Sequence, residues 1–485
     1  MIQEAVANKN STSITGFTND QQVAYEGLIK FINDNYDPKD YKRALVGAAG
    51  TGKTFLLKAV INNCRTSYSK IGISAPTHKA CRVIQESINI RGLNINTLQS
   101  DLGLRLNLDI NNFDINNPPF DPKGKVKIEG YSLYIIDESS MINRKLLMFI
   151  EDVCKRNKCK IIYVGDEFQL PPVGENISSA FRNVKSYKLT QVVRQGDDNP
   201  ISNILEILRN DIKNRTYNFL EYIIKHPYEF NNDNTKGYQV CNTVEFNKQV
   251  VNQFNNEEFT KNVDLVKLIS YTNNNVNNWN KIIRNAIIKD ADKSIITKND
   301  LITSYVTIVD DFNDCVIVNS EEYILKDVIN YRHPTYDIDG FMIRFTSIHG
   351  GKDTNPLFIV DHTNIANLAK YCNIANSLIT NAKSATKATR ADRWKSYYKF
   401  KEACLLITSV GDRTGNILYK RDIDYGFALT AHKSQGSTYE NVLVDVNDIV
   451  FDKYGMPYPS CEEVNRRLYV ACSRAKNKLF LKYGM

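Results

Sequence analysis

The sequence predicts an α/β protein whose core is doubly wound parallel sheet, and three observations carry that reading. First, the apolar run Ala44-Leu-Val46 enters a glycine-rich turn, and the apolar stretch Phe55–Val60 leaves it. Second, Ile71–Ala75, Tyr131–Ile136 and Lys160–Val164 are further buried-strand candidates, each ending in polar residues. Third, the pattern resumes after residue 260 with Leu265–Ser270, Phe427–Thr430, Val442–Val446 and Leu479–Lys482. Strands separated by helical periodicity place their polar ends on one edge of a sheet, where such folds bind ligands.

The glycine-rich turn reads Gly47-Ala48-Ala49-Gly50-Thr51-Gly52-Lys53-Thr54, a complete G-x-x-x-x-G-K-T. Its glycines let backbone N–H groups converge on phosphate oxygens, and the following helix start adds positive potential. Lys53 is expected to reach the β- and γ-phosphates, and the Thr54 hydroxyl to ligate Mg²⁺. Next, Tyr131–Ile136 delivers Asp137-Glu138. In a metal-assisted nucleoside triphosphatase Asp137 holds Mg²⁺ through water and Glu138 activates the attacking water. Pro76-Thr77-His78 and Gly165–Pro172, which includes Gln169, end two more strands. The later set of strands has no phosphate loop of its own, so a second lobe serving one nucleotide is the economical reading. Arg194 and Arg474 are of the residue type that stabilises a γ-phosphate whose charge is redistributing.

Bulk properties limit the alternatives. The 485 residues suggest about three domains. The net charge of +8 permits a polyanionic partner. No basic segment followed by an apolar one opens the chain, and no apolar run is long enough to span a bilayer, so a cytoplasmic protein with no membrane partner is expected. Ten cysteines lack metal-ligand spacing and read as free thiols.

Taken in order, these stretches resemble superfamily 1 helicases of the RecD/Dda type, superfamily 1B. Gly47–Thr54 matches motif I, Ala75–Ala80 motif Ia, Asp137-Glu138 motif II, and Gly165–Leu170 motif III. Leu189–Gln195 matches motif IV, Ala431–Ser437 motif V and Leu468–Arg474 motif VI. Phe17–Gln21 stands at the adenine-reading Q motif, and Tyr271-Thr272-Asn273 resembles a second-lobe strand end. Similarity to the phage Dda helicase extends to Trp394–Ala403. One departure is Gln99, where the family often carries histidine.

The resemblance implies two RecA-like P-loop lobes with insertions. Lobe 1A would comprise 1–98 and 131–195, and lobe 2A 196–305 and 405–485. A hairpin insertion would occupy 99–130, and an SH3-like barrel with a helical arm 306–404. ATP hydrolysis would fall to Lys53, Thr54, Asp137, Glu138, Gln169, Arg194 and Arg474. Gln21 would read adenine and Gly436 would lie against the phosphates. The implied activity is 5′→3′ DNA unwinding by a monomeric motor on single strands and single-to-double-strand junctions, with a single-strand-binding or replisome protein as partner. A DNA-stimulated translocase that remodels protein–DNA complexes is the alternative.

Two insertions deserve separate readings. Leu104–Ile110 alternates as a half-exposed strand, Pro118–Gly124 is turn chemistry, and Lys125–Glu129 suits the return strand. The hairpin would be the family's duplex-splitting pin, with Phe113 or Phe120 stacking on a base. Within 381–402, seven Lys/Arg face two acidic residues with Trp394, Tyr397 and Tyr398 interleaved. That pattern suits phosphate contact or a helix that buries its rings. Pro76, Thr77 and His78, with Thr272, Asn273, His432 and Lys433 by analogy, are the remaining DNA candidates.

Overall fold

In a computed structural model, the described residues are 16–104, 125–172, 174–175, 178–191, 199–309, 315–347, 356–412, 414 and 416–484. The chain divides into two compact units, residues 1–197 and 198–485.

The first unit contains strands β1 Lys42–Gly47, β2 Ile71–Ala75, β3 Asn94–Thr97, β4 Leu133–Ile136, β5 Lys160–Gly165 and β6 Lys185–Leu189. They form one sheet in the order β3-β2-β4-β5-β1-β6, every pair parallel. Helices α1 Asn19–Asn33, α2 Lys53–Asn63, α3 His78–Ile88, α4 Leu98–Asp101 and α5 Arg144–Arg156 connect them. Strands buried on both faces need apolar runs, and β2, β4 and β5 are buried along their whole length. Two apolar clusters result, one containing Leu45, Leu57, Ile73 and Val164, the other Val46, Tyr134, Ile150 and Tyr163. The crossovers leave the loops after β1, β2, β4 and β5 on one sheet edge. Those are the loops that carry the sequence motifs.

The second unit adds β7 Tyr228–Phe230, β8 Gly237–Cys241, β9 Val266–Ser270, β10 Leu301–Ser304, β11 Ile308–Val309 and β12 Cys315–Ile317. There follow β13 Glu322–His333, β14 Ile338–Ser347, β15 Leu357–Val360, β16 Val410–Gly411, β17 Ile417–Tyr419 and β18 Ile423–Tyr425. The last strands are β19 Ala428–Thr430, β20 Tyr439–Asp445 and β21 Ala475–Lys482. Its helices are α6 Ile201–Asn214, α7 Asn218–Lys225, α8 Thr243–Phe254, α9 Asn273–Ile287, α10 Ile365–Lys383, α11 Arg390–Ala403, α12 Val446–Val450 and α13 Cys461–Cys472. One sheet runs β19-β9-β20-β21-β8-β7, parallel except for the edge strand β7.

A second sheet of this unit is antiparallel, in the order β15-β14-β13-β10-β18. It draws on Leu301–Ser304 and Ile423–Tyr425, so it reaches beyond the 306–404 span expected for the insertion. Helices α10 and α11 follow it as the periodicity indicated, and of α11 only Phe400 is buried. Trp394, Tyr397 and Tyr398 pack on one another, with Tyr398 exposed.

Two sequence expectations meet different outcomes in the first insertion. Phe113 and Phe120 lie outside the described residues. The return strand expected at Lys125–Glu129 is replaced at Lys127–Gly130 by a 3-10 turn. Ile128 explains the turn, because its side chain is fully buried in the second cluster of the first unit. Lys127 meanwhile bonds Asn96 Oδ1 at 3.1 Å and Ser100 Oγ at 2.9 Å.

Candidate nucleotide and nucleic-acid sites

Strand β1 ends at Gly47 and the chain turns through two left-handed glycines, Gly50 at φ 84° and Gly52 at φ 80°, into α2. The turn is tight. A Cβ on Gly52 would sit 2.6 Å from Gln21 Nε2, and one on Gly47 would sit 2.4 Å from Thr51 Oγ1. Thr51 Oγ1 donates to Ala48 O at 2.9 Å, closing the loop on itself. Gly52 offers α2 no side-chain cap, so the first N–H groups of the helix stand at the loop, where an anion satisfies them. Lys53 Nζ lies inside the loop, donating to Gly47 O at 2.7 Å and Ala48 O at 3.0 Å. Thr54 follows it in the first turn.

Gln21 is brought to this loop, though its amide is committed to holding it. Nε2 donates to Thr51 O at 2.9 Å and Oε1 accepts from Thr18 N at 3.0 Å. Thr18 and Gln21 form a capping box for α1. Gln21 thus braces the phosphate loop, beside the place from which the resemblance expects it to read adenine. Phe17 packs edge-on against Phe55 and Tyr25, with centroids 5.6 and 5.5 Å away.

At the end of β4 the Asp137 amide donates to Ser74 O at 2.8 Å, and Asp137 Oδ1 accepts from Glu138 N at 2.9 Å. Burial pushes the Asp137 carboxyl up; the Glu138 N–H and the Lys53 charge pull it back. Glu138 holds φ 50°, a left-handed backbone that is strained for a non-glycine residue and recurs at functional positions. Ser139 Oγ bridges Ile136 O at 2.6 Å and Val164 N at 3.3 Å, tying this turn to β5. Beyond β5, Asp166 Oδ1 accepts from Phe168 N at 3.0 Å in a turn that leaves Gln169 buried.

Asp20 is a residue that motif reading missed. Its Oδ2 accepts from Thr190 N at 2.5 Å, Thr190 Oγ1 at 3.0 Å and Gln191 N at 3.2 Å, fixing the start of the segment that leads to Arg194. Arg194 itself lies outside the described residues.

Strand β2 ends in Pro76 and Thr77. Thr77 Oγ1 accepts from Ala80 N at 3.2 Å and caps α3, and His78 is the first helical residue. Burial holds the His78 pKa below its usual value, so the ring is a neutral hydrogen-bonding group at neutral pH. The second unit repeats the arrangement: β9 is followed by Thr272, which caps α9 at Asn273. Here the loop has an anchor that the sequence did not reveal. Asp448 Oδ2 accepts from Ser270 Oγ at 2.6 Å and from Tyr271 N and Thr272 N at 2.8 Å, while Oδ1 takes the Thr272 hydroxyl at 2.8 Å. The Thr272 hydroxyl is thereby committed to Asp448 and to capping Asn275 N. Gln99, in place of the family histidine, is buried in α4.

Behind β2, Ser74 Oγ donates to Asp101, Tyr134 OH bonds Ser74 Oγ at 2.8 Å, and Tyr131 OH bonds Asp101 at 3.4 Å. Burial lifts Asp101 from 3.8 to about 6. The folded chain thus holds this proton more tightly than the unfolded chain does. That contribution is complete below about pH 4 and is lost as the pH rises through about 6. Asp101→Asn should therefore raise the melting temperature at about pH 7.5 and leave it near wild type at about pH 4. Equal shifts at both pH values in a thermal-melt series would contradict this assignment.

In the second unit, Ala431–Ser437 follows β19 and turns at Gly436, φ 73°. Arg474, buried after α13, donates from Nη1 to Ser437 O at 3.0 Å and from Nη2 to Ser473 Oγ at 2.8 Å. Arg474 and the Gly436 turn are thus brought together. His432 faces the Tyr271 ring at 6.5 Å, and the Arg467 guanidinium stacks on that ring at 3.6 Å. Burial, aided by Arg467, holds His432 neutral. The Lys433 ammonium lies over the Tyr305 ring, 2.9 Å from its centroid.

Residues 33–222 match an AAA domain model, and residues 425–481 match the UvrD-like helicase C-terminal domain. The ATP-dependent RecD2 DNA helicase of Deinococcus radiodurans is 31% identical over 32% of this chain, a stretch that is 20% of that protein. In these stretches the chain is similar to superfamily 1B helicases. A second superfamily relative, the ATP-dependent DNA helicase Pif1 of Psychrobacter, is 28% identical over 27% of the chain and 20% of its own length. An uncharacterised protein of Acanthamoeba polyphaga mimivirus matches the chain nearly end to end, 23% identical over 96% of it and 99% of the viral protein. The solved Candida albicans Pif1 helicase is 16% identical, covering 96% of this chain and 94% of that one, with a TM-score of 0.48. Among the described residues no helix is long and apolar enough to cross a membrane, and no cluster of His, Cys, Asp and Glu has metal-binding geometry.

Proposed function

We propose that the chain is an ATP- and Mg²⁺-dependent DNA helicase that moves 5′→3′ along single-stranded DNA and separates duplex strands. The observation that carries the reading is the repetition of one geometry in both units. In each, a parallel strand ends at a threonine-capped helix, Thr77 before α3 and Thr272 before α9. Helix starts of this kind bind phosphates, and phosphate contacts position a strand without reading its sequence. Only the first unit carries a phosphate loop, so ATP is held there by Gly47–Thr54, with Lys53 on the phosphates. The RecD2 and Pif1 relatives are named as ATP-dependent DNA helicases, which supports the choice of activity and of DNA.

Thr54 and Asp137 fit a magnesium ion. Both present oxygen, the donor Mg²⁺ prefers, and a carboxyl pushed up by burial is relieved when a cation joins it. Bound there, Mg²⁺ would neutralise charge on the β- and γ-phosphates. Glu138 draws the proton from the attacking water, and Gln169 couples the γ-phosphate to the DNA site. Gln21 keeps the loop in its phosphate-ready shape. A monomer working at single-to-double-strand junctions, with a single-strand-binding or replisome protein nearby, completes the picture. ATP turnover should rise steeply when single-stranded DNA is added. An unchanged rate across a DNA titration would defeat the proposal, and stimulated turnover without strand separation would favour a translocase that remodels protein–DNA complexes.

A further inference from the structure

Tyr305 follows β10, the strand by which the antiparallel sheet pairs with β18, and it faces two cations. Lys433 Nζ lies 2.9 Å from its ring centroid and the Arg421 guanidinium 5.1 Å. The Tyr305 hydroxyl reaches Asp424 Oδ2 at 3.4 Å, and Asp424 pairs with Arg421 at 2.5 Å. Arg421 also bonds Asn277 Oδ1 on α9 at 2.8 Å. One aromatic ring therefore joins the loop after β19, the antiparallel sheet and the helix after β9.

The charges do not balance at this junction. Lys267 has Glu322, Arg284 has Asp300, and Arg421 has Asp424. Among the described residues Lys433 forms no ion pair and has only the face of the ring. A π face attracts a cation without neutralising it; burial and the nearby Arg421 charge pull the Lys433 pKa down to about 7, so an arriving anion would favour the charged form.

We propose that Tyr305 is a positioning residue for DNA binding: its ring holds the Lys433 ammonium in place to receive a phosphodiester. This rests on the reading of Ala431–Ser437 as a DNA-binding loop. It assigns the antiparallel sheet a part in the grip of the loop after β19, through Asp424 and Arg421.

Three variants test it: Tyr305→Phe, Tyr305→Leu and Lys433→Met, each measured for DNA-free ATP turnover and for the single-strand concentration giving half-maximal stimulation. Tyr305→Phe keeps the π face and should match wild type. Tyr305→Leu should weaken half-saturation about three- to tenfold, the range of one cation–π contact, with the DNA-free rate unchanged. Lys433→Met should also weaken it and lower the salt slope by about 0.7, the value for one single-strand phosphate. Combined with Tyr305→Leu, it should add little. Should Tyr305→Leu reduce the DNA-free rate, Tyr305→Gln takes its place, since it retains a polar end and lacks the ring. Wild-type affinity in the ring-less variant beside weakened Lys433→Met overturns the positioning role alone. Wild-type affinity in both overturns the DNA reading of the loop.

Discussion

Lys53→Ala should reduce ATP turnover about 10³-fold, in the range measured when a charge-stabilising group is removed from a phosphoryl-transfer or oxyanion site. Its ammonium lies within the phosphate loop, bonded to Gly47 O and Ala48 O. When phosphates arrive, the ammonium exchanges two carbonyl partners for charged oxygens, which bind a cation more strongly. Alanine removes that exchange and leaves the loop shape to Gly50, Gly52 and the Gln21–Thr51 bond. Steady-state turnover and a thermal melt together check this. The rate should collapse while the melting temperature moves little; a variant retaining a tenth of wild-type turnover would contradict the assigned role.

Glu138→Gln should cost about 10²–10⁴-fold in turnover, the usual contribution of a general base, while ATP binding persists. The residue sits at φ 50° directly after Asp137. Glutamine is close to isosteric, so the turn is retained and the loss can be assigned to proton transfer. Binding of a fluorescent nucleotide beside single-turnover hydrolysis separates the two effects. Normal single-turnover hydrolysis would remove Glu138 from the chemistry.

The sequence made these two residues legible because each belongs to a short run read without reference to distant partners. An apolar strand, a glycine turn and a helix start are neighbours in the chain, so Gly47–Thr54 and Asp137-Glu138 declare themselves. The second unit was legible in the same way through Leu265–Ser270 and Ala431–Ser437. Where structure depends on remote pairing, local reading stopped short. Leu301–Ser304 and Ile423–Tyr425 are brief strands that pair across more than a hundred residues of chain, so nothing local joins them to the antiparallel sheet. Asp448 reaches back to Ser270, Tyr271 and Thr272 over a similar separation. Lys125–Glu129 alternates like a strand, yet burying Ile128 is satisfied by a single 3-10 turn.

Gln21 offers a different lesson. Thr18-x-x-Gln21 is a capping-box pattern legible in the sequence, beside the resemblance to an adenine-reading motif. Its bond to Thr51 O places it in support of the phosphate loop.

The central claim is that a nucleotide-driven cycle at Lys53 moves the chain along DNA with a fixed direction. Strand displacement on two duplexes, identical except for a 5′ or a 3′ single-stranded tail, tests it most directly, with Lys53→Ala as the motorless control. The account requires ATP-dependent displacement from the 5′-tailed duplex, little from the 3′-tailed one, and none with Lys53→Ala. Displacement from the 3′ tail alone, or displacement by the Lys53 variant, would contradict it.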